Sequence, residues 1–125
     1  MKKQKVLPIG SFIMRDNNNS AENPRIGAKG IVISQDFYVD IDSMLKTPVS
    51  REEALSYRQR LQMMLPTKKQ LNLIFENIEK VNQSLHILGR GDYMLFQNMH
   101  RDFWTVRNDR KEEKERRRVL LVAPL

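Results

Sequence analysis

Few residues in this chain have the types and spacing that chemistry needs. Among 125 residues there are two histidines, His86 and His100, and no cysteine. An imidazole metal site needs a second ligand at a fixed spacing, most simply another histidine one helical turn away. Neither histidine has one. The lack of cysteine removes disulfides, thiol nucleophiles, thiolate metal sites and cysteine lipidation. Two carboxylate pairs, Glu52-Glu53 and Glu112-Glu113, are adjacent in sequence. The first opens a predicted helix, where negative charge suits the helix dipole. Gly89-Arg90-Gly91 is too short for a phosphate-cradling loop and reads as a helix end. No serine stands in a nucleophile-elbow context. The residue inventory predicts no enzyme and no cofactor.

What remains is a set of aromatic and basic residues near the middle of the second half. Trp104, with Phe103 and Tyr93, has two readings. As core it braces a sheet against a helix with its indole N–H bonded; as surface it stacks on a sugar, a base or a peptide. Phe96, Asn98, His100 and Arg101 surround a predicted exposed loop. Aromatic and arginine side chains are favoured at binding hot spots. The candidate ligand-binding set is therefore Phe96, Asn98, His100, Arg101, Trp104 and Arg107, with no metal in it.

Charge adds a further possibility. The formal net charge is +7, with three lysines in residues 1–5 and seven bases against four acids in residues 107–118. Lys2, Lys3, Lys5, Arg116, Arg117 and Arg118 are the residues a nucleic-acid interface would use. Strand alternation places Arg116 and Arg118 on one face and Arg117 on the other, which splits the run.

These residues need elements to position them. The length fits one domain, with residues 1–5 as a flexible basic tail and a core over 6–123. Residues 6–15 read as an extended start and 16–29 as a loop rich in Asn, Ser, Pro and Gly. Residues 30–41, GIVISQDFYVDI, read as one strand, and 42–49 as a connection. Ser50 and Glu53 then form a capping box, followed by Ala54, Tyr57, Leu61 and Met64 at helical spacing. Thr67 and Gln70 form a second capping box just after Pro66. Leu71, Ile74, Phe75, Ile78, Val81, Leu85 and Leu88 predict one long amphipathic helix, ended by Gly89 in a left-handed conformation. Residues 93–97, 102–108 and 116–123 read as strands, the last two forming an antiparallel hairpin. This order is α+β: two helices packed on a twisted antiparallel sheet. The start, MKKQKVLPIGSFIMRD, lacks a continuous apolar run, so neither a signal peptide nor a membrane helix is read there. For a complete chain the expectation is cytoplasmic or phage-borne, with no membrane insertion.

Several segments together resemble a known family. These are VLPIGSFIMRDNNNS, RIGAKGIVISQDFYV, SREEALSYRQRL, LPTKKQLNLIFENIEKVNQSL and DFWTVRND. They are similar to the small bacterial C-type-lectin-like domains of the Fibrobacter succinogenes major paralogous type and their Bacteroides and phage relatives. Leu65, Pro66, Thr67 and Leu71 match its Leu-Pro-Thr and helix motif. Gly30, Ile31 and Val32 match its Gly-Ile-Val strand, and Phe103, Trp104 and Thr105 stand at its aromatic-Trp-Ser position. Ile9, Gly10, Ser11 and Asp16 match its opening more loosely. Met63 and Met64 replace the usual Trp-Arg, and Thr105-Val106 the usual Ser-Ser. The resemblance spans residues 6–123.

It implies a C-type-lectin-like fold and a non-catalytic module presenting loops to a protein or glycan. Sugar-binding members hold calcium through converging oxygens. Here Asn108 and Asp109 follow Trp104, and Glu22-Asn23-Pro24 echoes a lectin triplet in another place; neither supplies a full ligand set. Formylglycine-generating relatives need cysteine or copper chemistry that this chain does not offer. The alternatives are a basic nucleic-acid-binding protein or a homo-oligomeric subunit of a surface or phage assembly. In the oligomeric reading VLLVAPL acts as an exposed edge strand.

Overall fold

A computed structural model of the chain describes residues 7–15, 23–107 and 115–125. The apolar run after Gly30 is not one strand. β2 (Ala28–Val32) and β3 (Phe37–Asp40) form an antiparallel hairpin around a polar turn at Ser34-Gln35-Asp36. The Ser34 hydroxyl accepts from the Asp36 N–H at 3.1 Å and stabilises that turn. β1 (Phe12–Met14) pairs with β2, and β6 (Val122–Pro124) with β3, giving the order β1-β2-β3-β6.

Residues 42–49 are not merely a connection. They contain most of β4 (Leu45–Ser50), which pairs antiparallel with β5 (Arg116–Val119) in a second, two-stranded sheet. The register shifts between Leu45 and Val49. Pro48, which has no N–H to give a ladder, lies in that interval.

Both capping boxes form. Ser50 starts α2 (Arg51–Leu61): its hydroxyl accepts from the Glu53 N–H, and the Glu53 carboxylate accepts from the Ser50 N–H, both at 3.1 Å. Thr67 and Gln70 repeat the exchange at the start of α3 (Lys68–Glu76). A short helix, α1 (Pro24–Gly27), precedes them, capped by Asn23.

The predicted long helix is broken. α3 ends at Asn77, and α4 runs over Ile78–Ile87. Asn77 leaves helical geometry (φ −110°, ψ 27°), and its side-chain amide donates to Leu73 O at 2.9 Å. Asparagine competes with the helix by such local bonds. The apolar stripe crosses the break in phase, since Leu71, Ile74, Phe75, Val81, Leu85 and Leu88 are all buried. Gly89 closes α4 at φ +74°, and Arg90 N–H reaches back to Leu85 O at 2.8 Å.

The C-terminal segment divides the interior. Leu120 and Val122 belong to the larger core, with Ile31, Phe37, Val39 and the stripe of α3 and α4. Val119 and Leu121 belong to a smaller core, with Ala54, Leu65 and Trp104 under α2. Period-two alternation thus feeds one extended segment into two cores.

Other expectations need correcting here. Residues 93–97 are not a strand: a 3-10 turn covers Gly91–Tyr93 and another covers Gln97–Asp102. Residues 102–107 supply only a single parallel bridge, Phe103 to Arg118, so the expected hairpin with the last strand does not form. VLLVAPL is only partly available as an edge: β6 is the outer strand of the larger sheet, but residues 119–122 are buried, and Val122 pairs in register with Val39 of β3 while both its backbone groups bond Met64 on the other side. The architecture is α+β, with antiparallel sheets and helices.

Candidate binding surface

The segment after the first 3-10 turn is fastened to α3 and α4 by side chains. The Asn82 amide donates to Leu95 O and accepts from Leu95 N–H, both at 2.8 Å. Gln97 Nε2 donates to Phe75 O at 3.3 Å. Phe96 O accepts from Met99 N–H at 2.9 Å, and Phe96 N–H points to Met99 Sδ at 3.3 Å. Leu95 and Met99 are buried in the core. Phe96 between them is 58 % exposed. A large aromatic is held outward on backbone that is bonded at every step.

Two depressions flank this segment in the chain. One, of about 580 Å³, is lined by Glu79, Asn82, Gln83, His86 and Ile87 of α4 and by Met94. The other, of about 270 Å³, is lined by Asn72, Phe75 and Glu76 of α3 and by Gln97 and His100. His100 Nε2 lies 2.5 Å from Asn72 Oδ1, and its ring meets Phe75 edge-on at 5.1 Å. Before the segment, Lys46 and Arg90 lie over the Tyr93 ring at 5.3 and 5.7 Å. Lys46 also bonds Asp92 at 2.7 Å, which holds that carboxyl below the usual range.

The six candidate residues divide into three groups. Phe96, Asn98 and Arg101 are exposed, and His100 is half-buried on the same segment. Trp104 is a correction: it is 1 % exposed, and its indole N–H donates to Val49 O at 2.8 Å. It is core and has no face to offer a ligand. Arg51 and Arg117 cover it at 5.6 and 5.1 Å. Arg107 is exposed but rests on different supports, since its neighbour Val106 bonds Pro66 O and the Arg51 guanidinium. Asn82, Met94, Asn72, Glu76 and Glu79 escaped sequence reasoning. They are ordinary polar-face helix residues, or an apolar loop residue, with no motif to mark them.

The basic run is largely paired. Arg116 meets Glu53 at 3.3 Å, and Arg117 meets Glu115 at 2.5 Å. Residues 1–5 of the basic tail, and Asn108 and Asp109 of the calcium expectation, lie outside the described residues. Among the described residues no group of three or more His, Cys, Asp or Glu is placed to hold a metal. None of the described helices is long and apolar enough to cross a membrane. Comparison of the chain with protein-family models, with curated proteins and with solved structures finds no match.

Proposed function

We propose that the chain is a non-catalytic binding module of C-type-lectin-like architecture that presents the face of α3, α4 and residues 94–101 to a protein or glycan partner. Support for the architecture comes from local features. Leu65-Pro66-Thr67 leads from a buried leucine into the capping box of α3. Gly30-Ile31-Val32 lies within β2, inside the larger sheet. The first and last described strands share that sheet.

One observation carries the binding reading: Phe96 is exposed on a segment bonded so tightly that its outward position is imposed. An aromatic pre-positioned in this way loses little freedom on association, which is what makes a hot spot efficient. The test is a panel of glycans, peptides and single- and double-stranded nucleic acids at low and high salt, against the native chain and the Phe96→Ala, His100→Ala and Arg101→Ala variants. Salt-resistant glycan or peptide binding that Phe96→Ala abolishes is expected. Binding that none of the three changes affects would remove this face from consideration. Nucleic-acid binding that collapses with salt would instead transfer the function to the basic residues.

A further inference from the structure

Among the described residues the three most exposed large apolar side chains are Ile26 at 72 %, Phe96 at 58 % and Ile87 at 51 %. They gather about the larger depression. Ile87 lines it, together with Met94. Phe96 stands outside it, two residues along the chain from Met94. Leu95 between them is buried, and the backbone at Phe96 is extended (φ −124°, ψ 148°). Met94 and Phe96 therefore both turn outward, about 7 Å apart along the segment. Arg25 Nε donates to Ile87 O at 3.0 Å, which holds Ile26 at the same end of α4. A fixed aromatic projection thus stands beside an apolar hollow. The hollow, about 580 Å³, has room for a phenyl ring, since a cavity of about 150 Å³ holds benzene.

We propose that this face pairs with a second copy of the chain in a two-fold dimer, in which Phe96 of each copy enters the hollow beside Ile87 and Met94 of the other. The proposal rests on the binding-surface reading above and names the protein partner as the chain itself. A two-fold contact needs one patch that is complementary to itself. A projection next to a hollow meets that need, because each copy gives one and receives one. The contact takes Phe96, Ile87 and Met94 out of water, and exposed apolar groupings of this kind mark association sites. Charge on the face permits the match. Lys68, Lys69, Lys80 and Arg101 are exposed there, and so are Glu76, Glu79 and Asp102. Four bases against three acids leave a net +1, so two copies meet with little net repulsion and each sign has its opposite to face.

Sedimentation of the full chain from micromolar to near-millimolar concentration, at low and high salt, tests this. Two variants are run beside it, with far-ultraviolet circular dichroism confirming that each is folded. Phe96→Ala removes the projection, and Gln83→Trp fills the hollow from its exposed lining. A monomer–dimer equilibrium is expected that does not weaken as salt rises, because apolar contact carries it and the +7 chains repel less when screened. Each variant alone should dimerise about tenfold or more weakly. An equal mixture of the two should associate better than either, since Phe96 of the Gln83→Trp copy still fits the open hollow of the Phe96→Ala copy. A dimer that neither variant weakens, or that both weaken without recovery on mixing, would overturn the arrangement. Association that collapses with salt would also overturn it, as would a strict monomer. A monomer that still shows Phe96-dependent binding to a glycan or peptide would leave the binding surface standing with another occupant. A monomer with no such binding would overturn both readings.

Discussion

Asn82 on α4 and Leu95 exchange a hydrogen bond in each direction, so one side-chain amide satisfies both backbone groups of a buried residue. It acts as a one-residue strand partner. Replacing Asn82 with Ala would leave a buried N–H and C=O unpaired, at a cost of about 1–3 kcal/mol. Asn82→Asp keeps the acceptor and loses the donor, and should cost less. Urea unfolding would give both differences. Faster hydrogen exchange at the Leu95 amide in Asn82→Ala would show that the loss is local.

Trp104 is the only tryptophan, so its burial is directly readable. Its emission should be blue-shifted and resist quenching by iodide. Trp104→Phe removes the bond to Val49 O and leaves a small void, and should destabilise the fold by about 2–4 kcal/mol. An emission maximum typical of free indole in the native protein would contradict the placement.

Gly30 faces the Tyr38 ring across the β2–β3 pair. A Cβ built there falls 2.2 Å from Tyr38 Cδ2 and 3.0 Å from Val39 O. Tyr38 is itself buried and has little room to withdraw. Gly30→Ala should therefore cost about 1–3 kcal/mol, and adding Tyr38→Leu should return part of it. Equal losses in the single and double variants would argue against the clash.

Two carboxylates should respond to pH with opposite sign. The Ser50 N–H holds Glu53 below the ordinary carboxylate range. Its contribution is present above the unfolded-state value and is lost as pH falls through the lower folded value. Burial raises Asp40, against hydrogen bonds from Ser43 that lower it. Its ionisation takes stability away as pH rises from the unfolded value through the raised folded one. Asp40→Asn, whose amide oxygen still accepts from the Ser43 N–H, should stabilise the fold at neutral pH and make little difference in acid. Glu53→Gln should destabilise at neutral pH, again with the difference closing in acid. Denaturant midpoints of both variants at neutral and acid pH would check the signs.

Local signals were legible in the sequence, and long-range ones were not. The boxes at Ser50/Glu53 and Thr67/Gln70 and the glycine stop at Gly89 depend on neighbours within one turn, and each is found where expected. Asn77 was missed because the apolar stripe stays in phase across it. The β2–β3 turn was missed because three polar residues between apolar runs resemble the exposed side of one strand. β4 was hidden by Lys46, Thr47 and Pro48, which are exposed and carry no alternation. Phe96 and His100 stood out by residue type. The partners that position them, Asn82 and Asn72, have meaning only once α3 and α4 are folded beside the segment.

The placement of residues 116–124 sets an order of assembly. This one stretch completes both sheets and separates both cores, yet its partners in β3 and β4 precede it by the whole of α2, α3 and α4. Contacts so distant along the chain are slow to form, because the intervening loop must close before any of them is gained. The helices and the β2–β3 hairpin, built from near neighbours, can nucleate early but have nothing to seal them. Until the final strands arrive, the apolar faces of β3 and α2 stay open to solvent. The chain should thus fold with a late, rate-limiting docking step. Substitutions at Leu120 or Leu121 should therefore retard folding as well as accelerate unfolding.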